Sequence, residues 1–190
     1  MEEIILATNN KGKIKEIKEI LKDKKIISLK EAGIDIEIEE DKESFEENAL
    51  KKASEISKLT KKTCIADDSG LCIEQLNGFP GVLTARFLGE GATQEERNNY
   101  ILEKMKGLKK EKRKAQAITC IAVVKANGEE RIYKGILDGY IARNKRGTNG
   151  FGFDEIFELE SGKTLAQLDS FEKNLISSRK KAIEQLILGI

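Results

Sequence analysis

The chain has 190 residues, enough for one domain with a proper core. Its 34 Lys and Arg stand against 33 Asp and Glu, and the net charge of +1 excludes global attraction to nucleic acid or a membrane surface, so any basic site must be local. It contains no histidine, which removes imidazole metal ligands and every Ser-His or Cys-His pair, leaving carboxylate, lysine, tyrosine, thiol or metal-bound water to move protons.

Taken in chain order, Ile4 to Ala7 reads as a short buried strand. The polar turn Thr8-Asn9-Asn10-Lys11-Gly12-Lys13 then opens a helix with Ile14, Ile17, Ile20 and Leu21 on one face. Such a strand-loop-helix junction points backbone N–H groups and the positive end of the helix dipole at the loop, where Lys13 or Lys11 could meet a phosphate. The glycine spacing is not that of a Walker loop, and on its own the lysine-rich helix reads equally as a solvated face. From Gly33 to Glu43 the chain is acidic and irregular, with Glu37, Glu39, Glu40 and Asp41 available as metal ligands or as solvated loop. Ser44-Phe45-Glu46-Glu47 is a capping box for a helix running to about Leu59, with Ala49, Leu50, Ala53 and Ile56 inward.

Thr63 to Ala66 is the next strand, delivering Asp67 and Asp68 to its carboxyl end, where ligands bind in α/β sheets. Adjacent carboxylates followed by Ser69 and Gly70 suit a Mg²⁺-phosphate site, because hydrogen-bond donors or a hard cation must offset their repulsion. An acidic turn is the competing reading. An aspartyl-phosphate phosphatase is disfavoured, since it needs Asp-x-Asp and adjacent strand residues face opposite ways.

Gly78-Phe79-Pro80-Gly81 holds the single proline in a rigid turn. Thr93-Gln94-Glu95-Glu96 caps a helix to about Met105, and the basic run Lys109 to Lys114 reads as a solvated connector, lacking the interleaved aromatics of a nucleic-acid platform. Ala115 to Lys125 and Glu130 to Leu137 form a hairpin around Asn127-Gly128, and Asp138 to Arg143 pairs next. Gly147-Thr148-Asn149-Gly150-Phe151-Gly152-Phe153-Asp154 is a glycine and aromatic loop that lets a flat ring approach the backbone; a plain hairpin is the alternative. The last helix starts near Ser170, carries Lys173 and Arg179, buries Leu175, Ile176, Ala182, Ile183 and Leu186, and stops at Gly189. Cys64, Cys72 and Cys120 form no CxxC pair and sit among apolar residues, as core thiols in a reducing cytoplasm would. No leader and no apolar run of membrane-spanning length is present, so the expectation is an untargeted cytoplasmic chain with no membrane or nucleic-acid partner.

Lysines for phosphates, acids for a metal and a water, and an aromatic-glycine loop for a base together describe a nucleotide site. Its carriers are Ala7-Thr8-Asn9-Asn10 with Lys13, Ser44 to Ala49, Ala66 to Leu71, Gly78 to Gly81 with Ala85-Arg86-Phe87, Gly150 to Asp154, and Glu172-Lys173-Asn174 with Ser177 and Arg179. On these blocks the chain resembles, over nearly its whole length, the inosine and xanthosine triphosphate pyrophosphatases. The resemblance implies one α/β domain over residues 1–190, a mixed, largely antiparallel curved sheet flanked by helices, with two lobes around a central cleft. It also implies a homodimer and Mg²⁺-dependent hydrolysis of ITP, dITP and XTP to the monophosphate and pyrophosphate, cleansing the nucleotide pool.

In that reading Asp68 is the general base or a metal-bound carboxylate that readies water for the α-phosphate, and Glu40 completes the metal site, with Glu39 its near rival. Thr8, Asn9, Asn10, Lys13, Ser69 and Lys173 hold the triphosphate. Phe151 stacks on the base within the loop Gly152-Phe153-Asp154, and Asp154 and Arg179 read the purine edge, where a 6-oxo group accepts from arginine and an amino group does not. The family usually carries Ser-His-Arg where this chain has Ser177-Ser178-Arg179, so the base contact of the missing imidazole is lost, filled by water, or replaced by another preference. The family's proline after the loop aspartate is Glu155 here, a change in loop stiffness. The competing readings are a related pyrophosphatase of shifted base specificity and a catalytically inactive nucleotide-binding regulator.

Overall fold

The computed structural model describes residues 3–89 and 91–188. Its strands are β1 (Glu3–Leu6), β2 (Lys25–Ser28), β3 (Cys64–Ile73), β4 (Lys114–Val124), β5 (Glu130–Ile141) and β6 (Phe157–Glu158), in one sheet of order β2-β1-β3-β4-β5-β6. Its α-helices are α1 (Lys11–Ile20), α2 (Phe45–Thr60), α3 (Gln94–Lys104), α4 (Ser170–Ile176) and α5 (Ser178–Leu188). The sheet is mixed: β1 runs parallel to both β2 and β3, and β5 pairs antiparallel with β6.

Two compact units divide the chain. The first is Met1–Asp68, Thr119–Gly135 and Ser178–Ile190; the second is Ser69–Ile118 and Ile136–Ser177. Each has its own apolar core. In the first, Leu6, Ile17, Ile65, Ile121 and Ile183 bury together, β4 being buried continuously from Ile118 to Val124 and α1 and α5 presenting apolar residues at helical spacing. In the second, Ile73, Ile101, Met105, Ile156 and Phe157 do the same.

The helix starts follow the caps in the sequence. Ser44 Oγ accepts from the N–H of Glu47 at 3.2 Å, and Thr93 with Glu96 completes a reciprocal capping box on α3. The hairpin forms as expected, closed by Lys125 N–H to the Glu129 carbonyl at 2.9 Å, and Asp138 to Ile141 continues β5 instead of starting another strand. Cys64 and Cys120 are core residues whose thiols burial pushes up to about 12.

Two further expectations are corrected. First, β3 does not end at Ala66; it continues through Asp67 and Asp68 to Ile73, so the acids lie within the strand and face opposite ways. Second, the final helix is two: Ser177 is extended at φ −60 and ψ 152, which resets the helical phase, leaving Leu175 exposed while Ala182, Ile183 and Leu186 are buried. One strand, β2, goes beyond the sequence reading: its apolar run is short and it exists by pairing with β1. The expected helix stop at Gly189 lies outside the described residues.

Candidate active site

In the first unit, the loop after β1 organises the start of α1. Asn10 Oδ1 accepts from Gly12 N–H at 2.9 Å and Lys13 N–H at 3.1 Å, and Thr8 Oγ1 accepts from Asn10 N–H at 3.2 Å. Asn10 is therefore the N-cap and takes two of the amides offered by the helix start, while Asn9 is exposed beside it.

Asp67 is fully buried at the centre of a cationic cluster. Lys13 Nζ lies 3.3 Å from its Oδ2, Arg179 donates to the same oxygen through Nη2 at 2.8 Å, and Lys52 Nζ donates to its main-chain carbonyl at 2.7 Å. Burial is the largest influence on its carboxyl and pushes the pKa up, but the summed attraction of Lys13, Arg179 and Lys52 overrides it and holds the group well below the ordinary range. Arg179 also donates through Nη1 to Glu16 on α1, a very short contact, so its guanidinium bridges two buried carboxylates. The residue expected to read a base edge is committed here to the acid beside Asp68.

Asp68, one residue on, faces the other way and adds Glu40 and Asn48 to the two lysines whose charge it shares with Asp67. Burial is again the main influence and here it prevails, raising the carboxyl; Glu40 adds to the rise, against the opposing charges of Lys52 and Lys13 and a hydrogen bond with Asn48. Of the acidic-loop carboxylates, Glu40 is the one brought into this field, its Oε1 on Lys52 Nζ; Glu37 is exposed, and exposed Glu39 gives its main-chain carbonyl to Lys51 at 2.9 Å. Glu40 and Asp68 are hard oxygen donors, and among the described residues no group of three or more His, Cys, Asp or Glu gathers into a protein cage. That donor set fits Mg²⁺, which takes one or two carboxylates and fills its remaining positions with water and phosphate oxygens.

Lys52 and Asn48 are the residues sequence reasoning passed over. Both lie on the inward face of α2, where Lys52 is 7% exposed and Asn48 fully buried, while the expected core residue Leu50 is half-buried. A lysine one turn from an asparagine on a buried helix face was the readable signal, since an ammonium is buried only where carboxylates meet it.

Ser178 opens α5, buried, with its Oγ 2.8 Å from Thr119 Oγ1 on β4. Gly135 on β5 admits that helix: a Cβ there would come within 1.9 Å of the Ser178 carbonyl and 2.6 Å of Ala182 N.

The second unit assembles the aromatic loop. Lys173 Nζ stands 4.4 Å from the centroid of the Phe151 ring and pairs with Asp154 Oδ2, which also accepts from Phe151 N–H at 2.8 Å. Gly150 makes that turn possible, with φ at +76 and a position where a Cβ would lie 2.0 Å from Asp154 Oδ2. Phe153 turns inward and stacks with Phe87 at 6.2 Å, and the Gly152 carbonyl accepts from Asn98. Lys173, expected with the triphosphate lysines, thus belongs to the group of Phe151 and Asp154; Ser69 follows Asp68 on β3, half-buried.

The chain belongs to the Ham1 family: the family match runs over residues 4–188. The chain is 47% identical to a dITP/XTP pyrophosphatase of Clostridium perfringens, over 98% of this chain and 96% of that protein. It is 44% identical to one of Bacillus subtilis, with the same coverage of each. A solved HAM1 protein from Coxiella burnetii superposes with a TM-score of 0.88 at 42% identity, over 98% of this chain and 96% of that one.

Proposed function

We propose that the chain hydrolyses non-canonical purine nucleoside triphosphates, dITP, ITP and XTP, to the monophosphate and pyrophosphate, in the cytoplasm and as a homodimer. The observation that carries the reading is the pair of oppositely set acids on β3: Asp67, held ionised by Lys13 and Arg179, and Asp68, raised by burial and by Glu40. The first fixes a positive cluster suited to phosphates, and the second is a carboxylate of raised basicity suited to take a proton from water. The names of the relatives supply the substrate class.

Asp68 would orient and deprotonate the water that attacks the α-phosphate. Lys13, with Thr8, Asn9, Asn10 and Ser69, would hold the phosphates, and positive charge there stabilises what builds on the departing pyrophosphate. Lys52, missed in the sequence, joins them as the ammonium beside both acids. Arg179 acts through Asp67, as a positioning residue, before any contact with the base edge. Phe151 offers its ring to the base, with Lys173 and Asp154 setting the loop. Glu40 and Asp68 would hold Mg²⁺, which when bound neutralises phosphate charge.

A second reading, the same reaction with shifted base preference, is favoured by Ser178, whose hydroxyl is buried on Thr119 where relatives are expected to present an imidazole. Pyrophosphate release from ITP, XTP, dITP, ATP, GTP and dTTP, with Mg²⁺ and with chelator, tests both. Release confined to the three non-canonical purines and abolished by chelator supports the first reading, and release from other bases the second. No release from any of them would leave a nucleotide-binding regulator.

A further inference from the structure

The basic run from Lys109 to Lys114 leads into a cavity of about 230 Å³ in the second unit, and no residue assigned above lines it. Lys110, Arg113, Arg143 and Arg146 line it with Tyr140 and Glu158, four cations to one carboxylate. The charges differ in how they are held. Arg113 is 4% exposed and donates to main-chain carbonyls, from Nε to Ile141 and from Nη2 to Ala142 at 2.6 Å each, with Nη1 on Met105 in a very short contact. These bonds fix its plane through main-chain carbonyls, and the carboxylate that acts on its charge, Glu158, is bound to Arg146. Lys110 lies 4.5 Å from the Tyr140 ring centroid and 3.5 Å from exposed Glu160. Arg143 is exposed and has no ion pair among the described residues.

Burial is the main influence that pushes the Arg113 pKa down, and the charge of exposed Arg143 adds to it, while Glu158 acts in the opposite sense. Arginine does not shed its charge by losing its proton, so one carboxylate, Glu158, stands against four cations in the cavity and leaves an excess of positive charge for an anion to offset. We infer that this cavity is a second anion site, taking a small phosphate-class oxyanion, inorganic phosphate or pyrophosphate, between Arg143, Arg146 and Lys110 above the fixed charge of Arg113. A small anion is favoured over a nucleic-acid backbone because the one aromatic ring present is covered by Lys110 and the cationic groups converge on a concavity instead of lining a strip.

The test is calorimetric titration of the full chain with inorganic phosphate and, separately, with pyrophosphate. Lys13→Ala is the background, to weaken phosphate binding at the proposed active site. Two proteins that differ only at Arg143 then read this cavity whatever Lys13 does. The expected result is saturable binding in Lys13→Ala that weakens about tenfold or more on adding Arg143→Glu, and by less with Arg143→Gln. Pyrophosphate binding more tightly than phosphate would assign the reaction product as the ligand, and equal affinity a single phosphoryl group. On the unmodified background, Arg143→Glu should leave turnover and the melting temperature unchanged. No saturable binding in Lys13→Ala, or equal affinity with Arg and Glu at position 143, would overturn the site. Tighter binding of a single-stranded oligonucleotide, with a salt slope of several phosphates, would overturn its assignment to a small anion.

Discussion

Arg179 donates through Nε at 3.3 Å and Nη2 at 2.8 Å to a single oxygen of Asp67, Oδ2, and that pair ties the first turn of α5 to the middle of β3. Both side chains are buried, so the pair contributes only while both partners are present. Asp67→Asn should therefore cost about 3–5 kcal/mol of unfolding free energy, because it leaves Arg179 and Lys13 without their buried counter-charge. Denaturant unfolding of Asp67→Asn, Arg179→Met and the double variant measures it; a double variant as unstable as the sum of the singles would show no coupling.

The same pair sets a pH dependence of stability. The Asp67 carboxyl is lowered from its ordinary value of 3.8, so its contribution is fully present above that value and is lost as pH falls through the still lower folded value. Acid unfolding should steepen below about pH 4, and the Asp67→Asn protein should lack that part of the slope. Parallel acid titrations followed by circular dichroism would expose a failure, as identical slopes.

Asp68 is perturbed in the opposite sense, and its prediction concerns rate. Its carboxyl is raised above 3.8, so the basic form disappears as pH falls through a value higher than that of a free aspartate, and the acid limb of kcat/KM should report it. Asp68→Asn should lower kcat by about 10²–10⁴-fold. Its stability should be unchanged or increased, since a costly buried charge is removed. Near-normal turnover in this variant would remove the assigned role.

Phe151, with Lys173 at 4.4 Å from its ring centroid, is the proposed base platform. Phe151→Ala should raise KM by about tenfold or more, consistent with ~1–3 kcal/mol for base-aromatic stacking, while Phe151→Tyr retains it. Steady-state kinetics on dITP decide; a fall in kcat with KM untouched would place Phe151 elsewhere.

Gly135 is a steric prediction independent of nucleotide chemistry. A methyl group there meets the Ser178 carbonyl at 1.9 Å, so Gly135→Ala must push α5 from β5, loosening the Arg179–Asp67 pair. A loss of about 1–3 kcal/mol is expected, as for overpacked sites, read as a lower melting temperature. A melt matching the parent would show that α5 is free to shift.

Local signals were legible in the chain. The caps at Ser44 and Thr93, the hairpin at Asn127-Gly128, the inward face of α1, the inward apolar positions Ala49, Ala53 and Ile56 of α2 and the blocks that mark the family are short-range patterns, in which neighbouring residues determine backbone shape. With histidine absent, the adjacent acids Asp67 and Asp68 also pointed to the chemistry.

What the tertiary structure alone decided is where charges separated in sequence meet. Asp67 is partnered across 112 positions by Arg179, and Lys52 joins Glu40 to the Asp67 carbonyl, which local patterning could not reveal because helix and strand periodicity specify a face and not what lies opposite it. The division of labour between the two acids arises the same way. The sequence makes Asp67 and Asp68 neighbours of equal chemistry; the continuation of β3 buries both within reach of Lys13 and Lys52 but adds Arg179 to Asp67 and Glu40 to Asp68, and their opposite pKa shifts follow from that geometry.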